Sequence, residues 1–167
     1  MKNIAKLLVA LFLSFLIGSA MAGTISIPVK RPAVMINIPD SWEPEETDKG
    51  ISCESPDQVA TLFFEVASSE KGMNKLIDQN IDWLVKEQGV KIVAETQQEG
   101  ETMVGGLKSS QISYDAKSKE FGPAKVGFIF TMVGEKLLVT TYWFSKKGYE
   151  KHDATVKQIL ESVRSAK

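Results

Sequence analysis

The stretch that decides the fold runs from 125 to 144 and reads KVGFIFTMVGEKLLVTTYWF. It contains two β-rich runs, Lys125–Val133 and Leu137–Phe144, and the short turn Gly134-Glu135 between them indicates a hairpin. Strands that are open to water on one side alternate polar and apolar residues, whereas the FIF and LLV segments of these runs are apolar on both faces. We therefore predict that these are central strands of an antiparallel sheet whose two faces are both covered.

Two amphipathic helices are available to cover those faces. The segments Gly72–Gln88 and Gly148–Arg164 carry apolar residues at helical spacing. The apolar positions are Met73, Leu76, Ile77, Ile81, Leu84 and Val85 in the first segment, and Tyr149, Val156, Ile159, Leu160 and Val163 in the second. We predict an α+β fold in which an antiparallel β-sheet is covered by helices on both faces, an α/β/α sandwich.

Further strands are predicted from β-rich runs elsewhere in the chain. These runs are Ala33–Ile38, Val59–Val66, Val90–Glu95 and Thr102–Asp115. Within the last run, Gly105-Gly106 is expected to form a bulge or bend, and Gln97–Glu101 is expected to be the turn before it. The polar segment Asp40–Gly50 has no apolar period, so we expect a loop there.

The first 22 residues have the three parts of a secretory signal peptide. Lys2 and Lys6 form the basic part, Leu7–Ile17 is the apolar part, and an Ala-Met-Ala ending precedes Gly23. The apolar part is too short for a spanning helix, which needs about 18–20 apolar residues. A lipoprotein signal would require a cysteine at the position of Gly23. We therefore expect cleavage after Ala22.

The expected product is a single exported domain in the bacterial periplasm. Prolines break the period of residues 23–32, so this segment is predicted to be an extended N-terminal arm or an edge strand. Residues 33–167 form the predicted α+β domain. The lone cysteine, Cys53, rules out an intramolecular disulfide, which suits a periplasm better than eukaryotic secretion.

Composition and charge exclude several classes of protein. The chain is 43% hydrophobic and 25% charged, which is ordinary for a globular protein and excludes disorder, many membrane spans and a disulfide-dense scaffold. The leader holds two of the 20 basic residues and none of the 21 acidic ones, so the mature protein is net acidic. Because its lysines are also dispersed, nucleic acid is not an expected partner.

Few side chains are available for catalysis. His152 is the only histidine, and its place beside the apolar stripe of the last helix favours a packing role. A catalytic triad needs a base beside a nucleophile, and a zinc site needs several His or Cys ligands. Cys53 is expected to be a half-buried core thiol or to pair with another molecule. We predict that the protein is not an enzyme and has no cofactor or metal.

The densest polar cluster surrounds Trp42. It comprises Asp40, Glu43, Glu45, Glu46 and Asp48. Carboxylates on a flexible loop could bind calcium, although the spacing is not that of an EF-hand and a solvated loop is the simpler interpretation. Trp42, Asp40 and Glu43 are the candidate interaction surface, because exposed aromatic residues are enriched at interfaces. The alternative is that Trp42 plugs the end of the sandwich.

Four segments in order resemble the PsbP-like superfamily. The first, MINIPDSW at 35–42, resembles its opening strand, proline, turn and tryptophan, and VGGLKSS at 104–110 resembles its middle strand. The segment GEKLLVTT at 134–141 is similar to its last hairpin, and QILESVR at 158–164 to its closing helix. The resemblance implies an α/β/α sandwich and a mostly non-enzymatic, interaction-based function.

Members of that superfamily include an extrinsic photosystem II subunit, a Ran-GTPase-binding import factor and periplasmic DcrB-like proteins, and the leader fits the DcrB-like branch. Their functional surfaces differ, so the resemblance assigns no site residue.

Two main functions stay open. The first is a soluble, non-enzymatic accessory or interaction protein whose partner is another periplasmic or envelope protein. The second is a binding protein for a small apolar ligand held between sheet and helix; an enzyme that uses carboxylates is a third, weaker reading.

Overall fold

The computed structural model describes residues 22–166, so the predicted signal peptide lies, apart from Ala22, outside the described residues. The described part contains eleven β-strands and two α-helices. The strands are β1 Ala22–Ile27, β2 Val34–Pro39, β3 Glu45–Glu46, β4 Gly50–Glu54, β5 Ala60–Ala67, β6 Val90–Ile92, β7 Gln98–Val104, β8 Leu107–Ser118, β9 Gly122–Val133, β10 Lys136–Ser145 and β11 Arg164–Ser165, and the helices are α1 Glu70–Lys86 and α2 Lys146–Glu161.

The large sheet has the β9–β10 hairpin near its centre. Its order is β3-β4-β5-β10-β9-β8-β6, and β7 also pairs with β8. Every described pairing in the sheet is antiparallel. In this register Thr141 of β10 lies between Phe63 of β5 and Phe128 of β9. The predicted α+β class, with its antiparallel sheet, is confirmed.

Successive residues of β10 are buried in different parts of the core. Leu138 belongs to a cluster that includes Ile159 of α2. Its neighbour Val139 packs in another cluster with Leu76 of α1. Because adjacent side chains of a strand point to opposite faces, β10 needs apolar residues at consecutive positions.

A second, three-stranded sheet, β1-β2-β11, contributes to the same cluster as α2. Ile27, Val34, Ile36 and Ile38 of this sheet are fully buried. β1 is an edge strand that pairs with β2, with Ile25 opposite Ile36. The first part of the predicted arm is therefore the edge strand that the proline pattern also allowed.

The predicted bulge at Gly105-Gly106 is wrong. These glycines form the tight turn of a hairpin between β7 and β8, and Gln98 to Glu101, predicted to be part of a turn, lie in β7. The φ angles of the two glycines are 57° and 75°. A two-residue hairpin turn with positive φ at both central positions strongly favours glycine, which explains why two occur together.

Helix α2 is attached to loops at both of its ends. At its beginning, the backbone N–H of Ser145 donates to the carbonyl oxygen of Val59 at 2.9 Å. At its end, the N–H of Gly105 donates to the carbonyl oxygen of Leu160, also at 2.9 Å. The middle of the helix lies over the large sheet. Within residues 22–166, neither helix has the length and apolarity needed to cross a membrane.

Candidate functional site

A cleft of about 550 Å³ lies between α2 and strands β8, β9 and β10. This volume is within the range of sites that hold small molecules. The apolar residues of the cleft come from both the sheet and the helix. They are Leu62, Ile129, Phe144, Val156 and Leu160.

The neutral polar residues of the cleft come mainly from β8 and β10. Gln111 and Ser113 line the cleft, because β8 alternates and sends Ile112 to its other face. The Nε2 of Gln111 donates to the Tyr142 hydroxyl at 2.5 Å. Burial raises the pKa of Tyr142, although hydrogen bonds with Gln111 and Ser113 act in the opposite direction. The phenol therefore stays protonated at neutral pH and keeps a hydrogen atom to donate.

Tyr142 reaches β8 because the strand between has a glycine opposite it. Gly127 of β9 pairs with Tyr142 on one side and with Ser113 on the other. A Cβ atom at Gly127 would overlap the end of the Tyr142 ring. The ring can therefore cross β9, and it also stacks on Phe144 with a centroid separation of 5.2 Å. These contacts shape the floor of the cleft.

Thr140 adds an unusual polar group to the same floor. Its side chain lines the cleft and is 0% exposed. Its hydroxyl has no hydrogen-bond partner among the residues that the structure describes. A buried hydroxyl without a partner costs about 1–3 kcal/mol, so this position is energetically unfavourable in the protein alone.

Charged side chains lie at the mouth of the cleft. Lys157 is 2.7 Å from Asp153, and Lys125 is 3.4 Å from Asp115. Both lysine side chains are more than half exposed, so these pairs contribute little to stability. Tyr149 also lines the cleft and is 57% exposed. The interior is thus apolar or neutral, and the charges are at the rim.

The predicted interaction residue Trp42 is not exposed. It is 2% exposed, and its ring meets that of His152 edge-on at 5.5 Å. A short 3-10 turn, Asp40–Trp42, precedes β3, and the indole of Trp42 packs in the core. Trp42 is therefore buried, as in the alternative interpretation. Asp40 and Glu43 are exposed and do not line the cleft. Their role in an interaction stays a prediction.

The acidic segment does not assemble a cation site. Glu45–Glu46 forms the short edge strand β3, in which both residues are exposed and pair with β4. Across residues 22–166, no three His, Cys, Asp or Glu side chains converge in a way that could hold a metal ion. The simpler interpretation, a solvated acidic surface, fits this arrangement.

His152 joins α2 to the loop between β4 and β5. Its Nε2 lies 2.8 Å from Oδ1 of Asp57, and Nζ of Lys151 lies 2.6 Å from Oδ2. Partial burial raises the pKa of Asp57, but hydrogen bonds from Lys151, His152 and Ser55 outweigh it and hold the pKa well below its usual range. The aspartate lies between Ser55 and His152, whereas a triad needs the histidine between serine and aspartate.

The lone cysteine is a core residue. Cys53 is 2% exposed and belongs to the cluster under α2. Burial strongly raises the pKa of its thiol, and a hydrogen bond with the backbone of Leu62 only partly opposes this. A protonated, shielded thiol is a poor nucleophile. Of the two states that the sequence left open, the structure has the buried one.

These features define a PsbP-like fold, as the sequence resemblance predicted. The solution structure of cyanobacterial PsbP (CyanoP) from Synechocystis sp. PCC 6803 superimposes with a TM-score of 0.54 at 7% identity, over 90% of this chain and 95% of that one. A less similar structure, PA94 of unknown function from Pseudomonas aeruginosa, has a TM-score of 0.34 at 13% identity, over 84% of this chain and 94% of that one. No protein-family model and no curated protein sequence matches the chain.

Proposed function

We propose that this is a non-enzymatic accessory protein of the bacterial periplasm that binds a small molecule in the cleft under α2. The preformed cleft carries the proposal. The sequence left open a protein partner and a small ligand between sheet and helix, and the cleft lies between just those elements. It favours the small ligand, because Trp42, the anchor suggested for a protein partner, is buried.

The absence of catalysis is supported by the roles of the two most reactive side-chain types. The imidazole of His152 is 12% exposed and is engaged by Asp57 and Trp42. The thiol of Cys53 is buried and protonated. Neither residue lines the cleft. A general acid or base must be within hydrogen-bond reach of the proton it transfers, which neither residue is for a ligand in the cleft.

The periplasmic location is supported by the leader, residues 1–22. Cleavage after Ala22 would leave Gly23–Ile27 of β1 in place to pair with β2. The test is to fractionate the cells that express the full chain and to measure the mass of the purified protein. We expect a periplasmic product that begins at Gly23. An intact chain in the cytoplasm would contradict this part of the proposal.

The finer architecture belongs to the same proposal. We assign an α/β/α sandwich, because Leu76 of α1 and Ile159 of α2 pack in different clusters with neighbouring residues of β10. The small sheet lies beside α2 and shares its cluster. The export leader, together with this fold, favours the DcrB-like branch of the superfamily.

The binding proposal is tested with the fluorescent probe N-phenyl-1-naphthylamine, which brightens in apolar sites. We expect the wild-type protein to bind it and Val156→Trp, which fills the cleft, to lose most of the binding. Val85→Trp is the matched control, because Val85 is exposed on α1 and does not line this cleft. Equal binding by wild type and Val156→Trp, or no binding by wild type, would refute a ligand site here.

A further inference from the structure

We infer that the ligand of this cleft is a neutral amphiphile, with an apolar body under α2 and a hydroxyl or amide head against Gln111, Ser113 and Tyr142. This inference rests on the proposed function and specifies its ligand class. The probe and the variants below are chosen so that the two can fail separately.

The apolar and the polar residues of the cleft suit two different parts of a ligand. Val156 and Leu160 of α2 face the cleft and are only partly buried, so an apolar group beside them would remove further apolar surface from water. On the sheet, Gln111 and Ser113 present polar atoms at successive cleft-facing positions of β8, with Gln111 beside Ile129 of β9. A purely apolar ligand would cover those polar atoms without replacing their hydrogen bonds, which is costly.

The hydrogen-bonding groups suit a head that both donates and accepts. The Gln111 amide uses its Nε2 for the Tyr142 hydroxyl, and its carbonyl oxygen accepts no hydrogen bond from a side chain within residues 22–166. The Ser113 hydroxyl lines the same cleft and can both donate and accept. A hydroxyl or an amide can donate to one of these groups and accept from another.

The head is neutral because the interior offers no charge to pair with it. Among the described residues, three lysines line the cleft, Lys125, Lys146 and Lys157; all are exposed at its rim, and Lys125 and Lys157 lie near carboxylates. An ion placed beside Gln111 and Tyr142 would lose its water without gaining a buried counter-ion, which is unfavourable. The raised pKa of Tyr142 reflects the same resistance to buried charge.

The experiment displaces N-phenyl-1-naphthylamine with three competitors that share a ten-carbon chain. They are 1-decanol, decanoate and decylammonium, which at pH 7 are neutral, negative and positive. We expect 1-decanol to displace the probe at concentrations about tenfold lower than either ion.

The variant Gln111→Leu should weaken the binding of 1-decanol about threefold to tenfold, which is the value of one neutral hydrogen bond. Gln158→Leu is the matched control, because Gln158 is exposed on α2 and does not line the cleft.

Ser113→Ala provides a second, smaller change if Gln111→Leu lowers the folded fraction, which circular dichroism would report. Equal potency of decanoate or decylammonium, or unchanged 1-decanol potency in both variants, would overturn the ligand class. If those results came with probe binding that Val156→Trp removes, the proposed function would survive alone. Failure of the wild-type protein to bind the probe would overturn both.

Discussion

Replacing Thr140 by valine should make the protein more stable, although most buried substitutions do the reverse. Valine has almost the shape of threonine, so the packing against β9 and the cleft floor is kept. The hydroxyl that it removes is fully buried and has no partner among the described residues. Relieving that unpaired group should raise the free energy of unfolding by about 1–2 kcal/mol.

The neighbouring Thr131 provides a matched control of opposite sign. It is also 0% exposed and lies on β9, but its hydroxyl is 2.8 Å from that of Ser109. Thr131→Val should therefore lower the free energy of unfolding by about 1 kcal/mol, the value of one neutral hydrogen bond. The same chemical change at equal burial then separates the hydrogen-bond effect from a general preference for valine in strands.

Urea denaturation followed by tryptophan fluorescence measures both variants, and thermal melting checks the sign. For a domain of this size a change of 1 kcal/mol shifts the Tm by about 2–4 °C. If Thr140→Val destabilised the protein as Thr131→Val does, the Thr140 hydroxyl would have to be satisfied in solution, and the description of the floor as partly unpaired would be refuted.

Three further predictions concern the floor, the loop attachment and the core thiol. Gly127→Ala should push the Tyr142 ring off β9, lower the free energy of unfolding by about 1–3 kcal/mol and weaken binding of N-phenyl-1-naphthylamine; a titration with unchanged affinity would contradict this. The pKa of Asp57 is lowered in the folded state, so its contribution to stability is present above about pH 4, the pKa of an unfolded aspartate, and is lost as the pH falls below that value. Asp57→Asn should cost about 1–2 kcal/mol at pH 7 and flatten the loss of stability in acid, whereas parallel pH curves would argue against a role for this carboxylate. Cys53 should not react with a thiol reagent at pH 8 until urea unfolds the protein, and fast labelling of the native protein would show that the thiol is accessible.

The sheet centre and both helices could be predicted because their signals are local. The consecutive apolar residues of β10 and the helical period of α1 and α2 each lie within one segment, and the centre of each stripe is buried, although Val85 and Tyr149 are exposed. The hairpin turn at Gly105-Gly106 was assigned incorrectly for a related reason. A glycine pair inside a β-rich run fits a bulge or a two-residue turn, and the polar strand β7 gave no apolar pattern to decide between them.

The residues that line the cleft could not be predicted, because they come together through contacts between distant segments. A signal was present in β8, where Ser109, Gln111 and Ser113 occupy every second position and so make one face of the strand polar. That this face lies under α2 depends on the tertiary fold. The exposure of Trp42 was undecidable for the same reason, since its burial depends on contacts with distant residues such as His152, 110 positions further along the chain.

Under the proposed function, the two attachments of α2 have a consequence for selectivity. Hydrogen bonds from Ser145 to Val59 and from Gly105 to Leu160 hold both ends of the helix at a set height above the sheet. A molecule thin enough for that gap enters a site whose shape already exists, so little conformational entropy is lost on binding. A thicker molecule must break one of the two attachments first. The fixed gap between α2 and the sheet should therefore exclude bulky molecules sterically, whatever their polar groups.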